Sequence, residues 1–153
     1  MALRQAKEAG GGTYAFYAGE LTERHTRQLS LESRLHRAVE AGDFVLFYQP
    51  IVDLESGTTE GVEALLRWPQ DDGTLLGPDA FIPLAEETGL MVPLGAWVFG
   101  EACRQARAWL DVGWDLPVSI NLSTHQLLSP TLVQDLTAAM EVARLPPTSL
   151  ELE

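Results

Sequence analysis

The chain has 153 residues, 46% of them hydrophobic and 21% charged, a balance that supports a packed core and excludes a disordered or collagen-like polymer. Ten Lys and Arg against 22 Asp and Glu give a formal charge of −12, which excludes a diffuse basic surface for DNA or anionic lipid but still permits a local site that holds an anion through a metal ion or one arginine. Cys103 is the only cysteine, so no intrachain disulfide forms and its expected role is that of a small buried hydrophobe.

Residues 2–9 have helix composition, Gly10 to Gly12 stop it, and the aromatic run 13–17 has strand character. From about residue 21 to 41 the pattern is helical and polar, with Leu31, Leu35, Ala38 and Val39 on one stripe, and Gly42 is its expected C-terminal stop. FVLFYQPIVDL at 44–54 and GVEALLRW at 61–68 are strand runs. Six residues separate them, too few for a parallel crossover, so the two are predicted to pair antiparallel. Asp71 and Asp72 fall in the next loop, where Asp-Asp-Gly is turn chemistry. A short helix is expected at 79–87 and a longer one at 93–112, with Leu94, Val98, Ala102, Ala106 and Trp109 at helical spacing.

LPVSINLS at 116–123 is the third strand, reached through a helical crossover and therefore parallel to the second. Ser129 and Pro130 read as the N-cap and first residue of another helix, which Pro146 and Pro147 end, and SLELE at 149–153 begins a fourth strand. The order describes an α/β protein with a mostly parallel sheet. A closed eight-stranded barrel takes roughly 250 residues, so 43–153 supplies about half of one. The apolar run 90–100 falls far short of the ~20 residues of a membrane helix, and the N-terminus lacks the apolar centre of a secretory signal. The cytoplasm is the expected compartment, with no membrane contact from this segment.

Glu63, Arg67, Asn121, Glu151 and Glu153 are polar residues set in strands that otherwise read as core. Residues two or four apart on a strand share a face, so Glu63 and Arg67 point the same way, as do Glu151 and Glu153. Two arrangements fit. Glu63 and Arg67 form an ion pair at a wet rim while Asn121 caps the following helix, or carboxylate and amide oxygens gather round a hard cation such as Mg²⁺ or Mn²⁺, with Arg67 free to hold a phosphate oxygen. His25, His36 and His125 have no metal-ligand spacing, and no function is assigned to them.

These residues stand in blocks that resemble the EAL domain, the bacterial cyclic di-GMP phosphodiesterase family: FVLFYQPIVDL, EALLRW at 63–68, FIPLAEETGL at 81–90, SINLS at 119–123 and LELE at 150–153, in the family's order. The resemblance covers the N-terminal half of that domain. It implies an incomplete TIM-like (β/α) barrel with an antiparallel first strand, preceded by a helical linker, and hydrolysis of cyclic di-GMP to pGpG by a metal-activated water. It further implies that Glu63, Asn121 and Glu153 are metal ligands, Glu63 being catalytic as well, and that Gln49 and Arg67 contact the dinucleotide. Residues 1–19 resemble the end of a GGDEF domain, which leaves 20–42 as the helical linker and 43–153 as the EAL half. The family's remaining aspartate pair, lysine, glutamate and glutamine would follow Glu153, so the chain by itself is expected to be inactive, and a homodimer is expected of the full-length protein. The rival reading is a non-catalytic receptor for cyclic di-GMP.

Overall fold

The computed structural model describes residues 18–153, with side chains from residue 28 onward. The helix and strand expected over 2–17, the GGDEF-like tail up to residue 17 and the side chain of His25 lie outside the described residues. The chain divides after Leu35, and the second unit, His36–Glu153, carries the sheet.

Helix α1, Ala18–Ala41, follows the predicted stripe, with Leu35 and Ala38 buried. Gly42 ends it at φ +71°, the left-handed conformation that glycine adopts without steric cost. A side chain there would also collide with Trp97, since a Cβ would lie 2.9 Å from its Nε1.

Strands β1 (Val45–Val52) and β2 (Thr59–Pro69) form the expected antiparallel hairpin, in a register that runs from Val45 opposite Arg67 to Ile51 opposite Gly61. In its loop the Asp53 carboxylate accepts from the Ser56 amide (2.7 Å) and hydroxyl (2.6 Å), bonds that hold its pKa below the usual value. A two-residue strand that sequence reading missed, β3 (Leu75–Leu76), pairs with Trp68 and Pro69. Asp72 accepts from the Thr74 amide and hydroxyl in the turn between them, as Asp-Asp-Gly suggests.

The short helix expected at 79–87 is broken at Phe81 into a 3₁₀ turn, Pro78–Ala80, and α2, Ile82–Glu87. Helix α3 spans Met91–Asp111, two residues earlier than predicted, with Pro93 in its first turn where no intrahelical N–H is needed. Strand β4 is only Val118–Ile120, shorter than the expected 116–123, because the chain turns at Ser123 into a one-turn helix, α4 (Thr124–Leu127). Helix α5 begins at Leu132 and ends at Ala143. Ser129 does not cap it; its hydroxyl accepts from the Thr131 amide at 3.3 Å instead. A 3₁₀ turn, Pro147–Ser149, leads into β5, Leu150–Leu152.

The sheet order is β1-β2-β4-β5, with β2–β4 and β4–β5 parallel, an α/β partial barrel whose first strand runs antiparallel. Alternation along the strands sorts its two faces. Val62, Ala64, Val118 and Ile120 pack against Phe99, Ala102, Cys103 and Ala106 of α3, and each large side chain buried there contributes about 1.5–3 kcal/mol. Near the carboxyl end of β2, Phe44 meets Trp68, Phe81 and Trp97 at ring-centroid distances of 6.0, 5.9 and 5.7 Å. This aromatic cluster fixes the loops that follow β2. Among the described residues no helix is long and apolar enough to cross a membrane.

Candidate functional site

The opposite face of the sheet carries the polar residues singled out above. Register aligns Gln49, Glu63, Ser119 and Glu151 in one row across the four strands. The next row on the same face, toward the carboxyl ends of β2, β4 and β5, contains Leu65, Asn121 and Glu153. Backbone bonds extend the ladder there, the Glu153 amide donating to the Ile120 carbonyl (3.0 Å) and the Leu122 amide to the Glu153 carbonyl (2.8 Å), which sets Glu153 directly beside Asn121.

The half-buried Glu63 takes a hydrogen bond from Asn121, Nδ2 to Oε1 at 2.7 Å, across 58 residues of sequence. In the row below, the buried Ser119 hydroxyl donates to Glu151 Oε2 at 3.1 Å. Sequence reading gave Ser119 no part; its place in SINLS, two residues before Asn121, was the available signal. The rim ion pair between Glu63 and Arg67 is not formed. Arg67 instead donates through Nη1 to the Leu66 carbonyl at 2.8 Å, and its guanidinium carbon lies 5.8 Å from the centre of the Phe47 ring, within cation–π range. Gln49 is exposed opposite Glu63. The structure therefore brings Gln49, Glu63, Asn121 and Glu153 onto adjacent positions of one face, with Arg67 one turn of the pleat beyond Leu65.

Among the described residues no three His, Cys, Asp or Glu side chains gather into a group. A cation held at this face would draw on carboxylate oxygens of Glu63 and Glu153 and on the side-chain oxygen of Asn121, whose amide nitrogen here donates to Glu63. Such an all-oxygen set is hard-cation chemistry and unlike zinc's preferred nitrogen and sulfur ligands. The donors present fit a hard divalent ion.

Asn121 does not cap the following helix. That role belongs to Ser123, whose hydroxyl accepts from the Gln126 amide at 3.2 Å while Gln126 Oε1 accepts from the Ser123 amide at 3.1 Å. This reciprocal box is written in the sequence as Ser-Thr-His-Gln. A cavity of about 410 Å³ opens at the ends of β2 and β4, with Leu65, Ile82, Glu86, Asn121 and Gln126 among its lining. His125, left without a role by its spacing, sits 3.5 Å from Glu86 beside it. A larger groove of about 900 Å³ lies between α3 and α5, away from Glu63, where Arg107 is paired with Asp111. Cys103 belongs to the core, fully buried, and burial pushes its thiol up to about 11.

Comparison with known proteins agrees with this geometry. The EAL domain profile matches residues 32–153. The signaling protein YkoW of Bacillus subtilis is 40% identical over 153 residues, all of this chain and 19% of YkoW. The bifunctional diguanylate cyclase/cyclic di-GMP phosphodiesterase MucR of Pseudomonas aeruginosa is 42% identical over 99% of this chain and 22% of its own length. The chain thus spans about a fifth of these relatives. Among solved structures, the PaMucR phosphodiesterase in complex with c-di-GMP superposes with a TM-score of 0.77 at 44% identity, over 80% of this chain and 50% of that one. The Pseudomonas aeruginosa FimX EAL domain bound to c-di-GMP superposes with a TM-score of 0.70 at 29% identity, over 82% of this chain and 48% of that one. Profile, identity and superposition agree: the chain belongs to the EAL domain family.

Proposed function

We propose that this chain supplies a four-strand share of a cyclic di-GMP phosphodiesterase site, in which Glu63, Asn121 and Glu153 hold Mg²⁺ or Mn²⁺ while Gln49 and Arg67 contact the dinucleotide. The observation that carries the reading is the 2.7 Å contact between Glu63 and Asn121, with Glu153 in the neighbouring register position on the same face. A divalent cation bound there lowers the pKa of the attacking water and offsets charge on the phosphoryl oxygens. Around it the chain's own residues have separate tasks. Glu63 and Glu153 supply negative charge from two strands, and Asn121 adds a neutral oxygen between them. Arg67, held over Phe47, offers its remaining N–H groups to a phosphate oxygen. The negative net charge of the chain does not oppose this, because the ion itself is the local positive centre. The proposed compartment is the cytoplasm.

The test is conversion of cyclic di-GMP to pGpG by the full-length protein in Mg²⁺ or Mn²⁺, wild type against Glu63→Ala. Turnover that disappears in the variant supports the reading, and binding without turnover in the wild type makes the protein a receptor. Unchanged turnover in Glu63→Ala overturns it.

A further inference from the structure

Asn121 lies just past the three-residue strand β4, flanked by the backbone bonds that Ile120 and Leu122 make to Glu153, and there the chain leaves the sheet. Two residues later the chain is caught. Gln126 accepts from the Ser123 amide through Oε1, its own amide donates to Ser123 Oγ, and it is 6% exposed although polar. Its side chain lies flat on α3 at Gly95, so close that a Cβ on Gly95 would stand 2.1 Å from Gln126 Nε2. Glycine is a poor residue for the interior of a 21-residue helix, and this contact accounts for it: Gly95 is the seat on which the Gln126 amide rests.

We propose that Gln126, seated on Gly95, is the positioning residue for Asn121, locking the turn that follows β4 to helix α3 so that Asn121 stays beside Glu63. The inference rests on the reading of Glu63 and Asn121 as cation ligands and deepens it. Groups that orient a metal ligand without touching the ion typically govern affinity by about 10–100-fold, and the Ser123–Gln126 box acts on Asn121 through Leu122, the one residue between Asn121 and Ser123. Gln126 touches neither ion nor substrate in this role.

The test uses the full-length protein with two readouts that do not depend on turnover: Mn²⁺ affinity, and hydrogen exchange over residues 121–124. Gln126→Ala is expected to speed exchange in that segment and weaken Mn²⁺ binding by about 10-fold. Gln126→Glu, whose carboxylate accepts from the same Ser123 amide, is expected to restore most of both. Gly95→Ala is expected to match Gln126→Ala alone and to add nothing in its background, because the new methyl then meets no amide. If Gln126→Ala exchanges no faster than wild type, the lock does not exist. Faster exchange with unchanged Mn²⁺ affinity overturns its link to Asn121. The underlying reading has its own control in Glu63→Ala: if wild type and this variant bind Mn²⁺ alike, the metal assignment fails and the positioning role with it, even where exchange shows the lock.

Discussion

Replacing Glu63 by alanine separates what this carboxylate contributes to folding from what it contributes to binding. In the metal-free protein the variant loses one hydrogen bond, the 2.7 Å contact from Asn121. Asn121 is exposed and Glu63 only half-buried, so water replaces the lost partner and the net cost stays near the low end of the usual ~0.5–1.5 kcal/mol. Cation binding acts on a larger scale. A ligand at a hundred times its Kd stabilises the folded state by about 2.7 kcal/mol, which for a domain of this size class raises Tm by about 5–10 °C at ~2–4 °C per kcal/mol. Thermal melts of the full-length protein with and without Mn²⁺ therefore distinguish the two contributions. Wild type is expected to gain about 5–10 °C with Mn²⁺, whereas Glu63→Ala melts within a few degrees of metal-free wild type and does not respond. A variant that keeps the whole Mn²⁺-dependent gain refutes the assignment of Glu63 as a ligand.

Three further outcomes follow from the fold. Gly42→Ala forces a side chain into φ +71° and against Trp97 Nε1, with an expected loss of about 1–3 kcal/mol in urea unfolding; an unmoved midpoint would contradict the strain argument. Tyr48→Phe removes a buried hydroxyl that has no hydrogen-bond partner among the described residues and keeps the ring edge-on to Trp109 at 4.8 Å, so a gain of about 1 kcal/mol is expected, and a destabilised variant would mean that the hydroxyl has a partner in solution. Burial raises the Cys103 thiol from 9.0 to about 11. Its contribution is thus complete below pH 9 and fades as pH rises through 11, with Tyr48, raised chiefly by its own burial, adding to the same alkaline decline above its ordinary 10.0. The unfolding free energy of Cys103→Ala should fall less steeply than wild type across that window, and an identical slope would deny the thiol its part.

The strands and their directions were legible because they rest on strong local signals. Six residues between two apolar runs admit only a hairpin, and a helical crossover admits only a parallel return, as β1–β2 and β2–β4 show. The shared face of Glu63 and Arg67 followed from their even spacing, and the polar blocks pointed to the family. What stayed hidden is what depends on competition between neighbours. Ser123, three residues before the buried Gln126 that packs on Gly95, caps α4, whereas Ser129 before Pro130 bonds the Thr131 amide and leaves α5 without a side-chain cap. β3 was missed because two residues have no periodicity to read, and its pairing depends on a turn closed by Asp72 and Thr74. The meeting of Glu63 with Asn121 needs the register of two strands 58 residues apart, which no local pattern encodes.

The apolar helix-facing side of β2, Val62, Ala64, Leu66 and Trp68, opposite Glu63 and Arg67, gives the molecule a built-in defence against frameshifted pairing. Sliding that strand by one position would drive the carboxylate of Glu63 into the apolar bed made by Phe99, Ala102 and Cys103 and the guanidinium of Arg67 toward the aromatic cluster around Trp68, at a cost of several kcal/mol for each uncompensated ion. The same two-residue rhythm leaves substitutions on the polar side free to alter chemistry while the helix-facing side keeps its packing, so this half of the sheet can change what it binds without relearning how to fold.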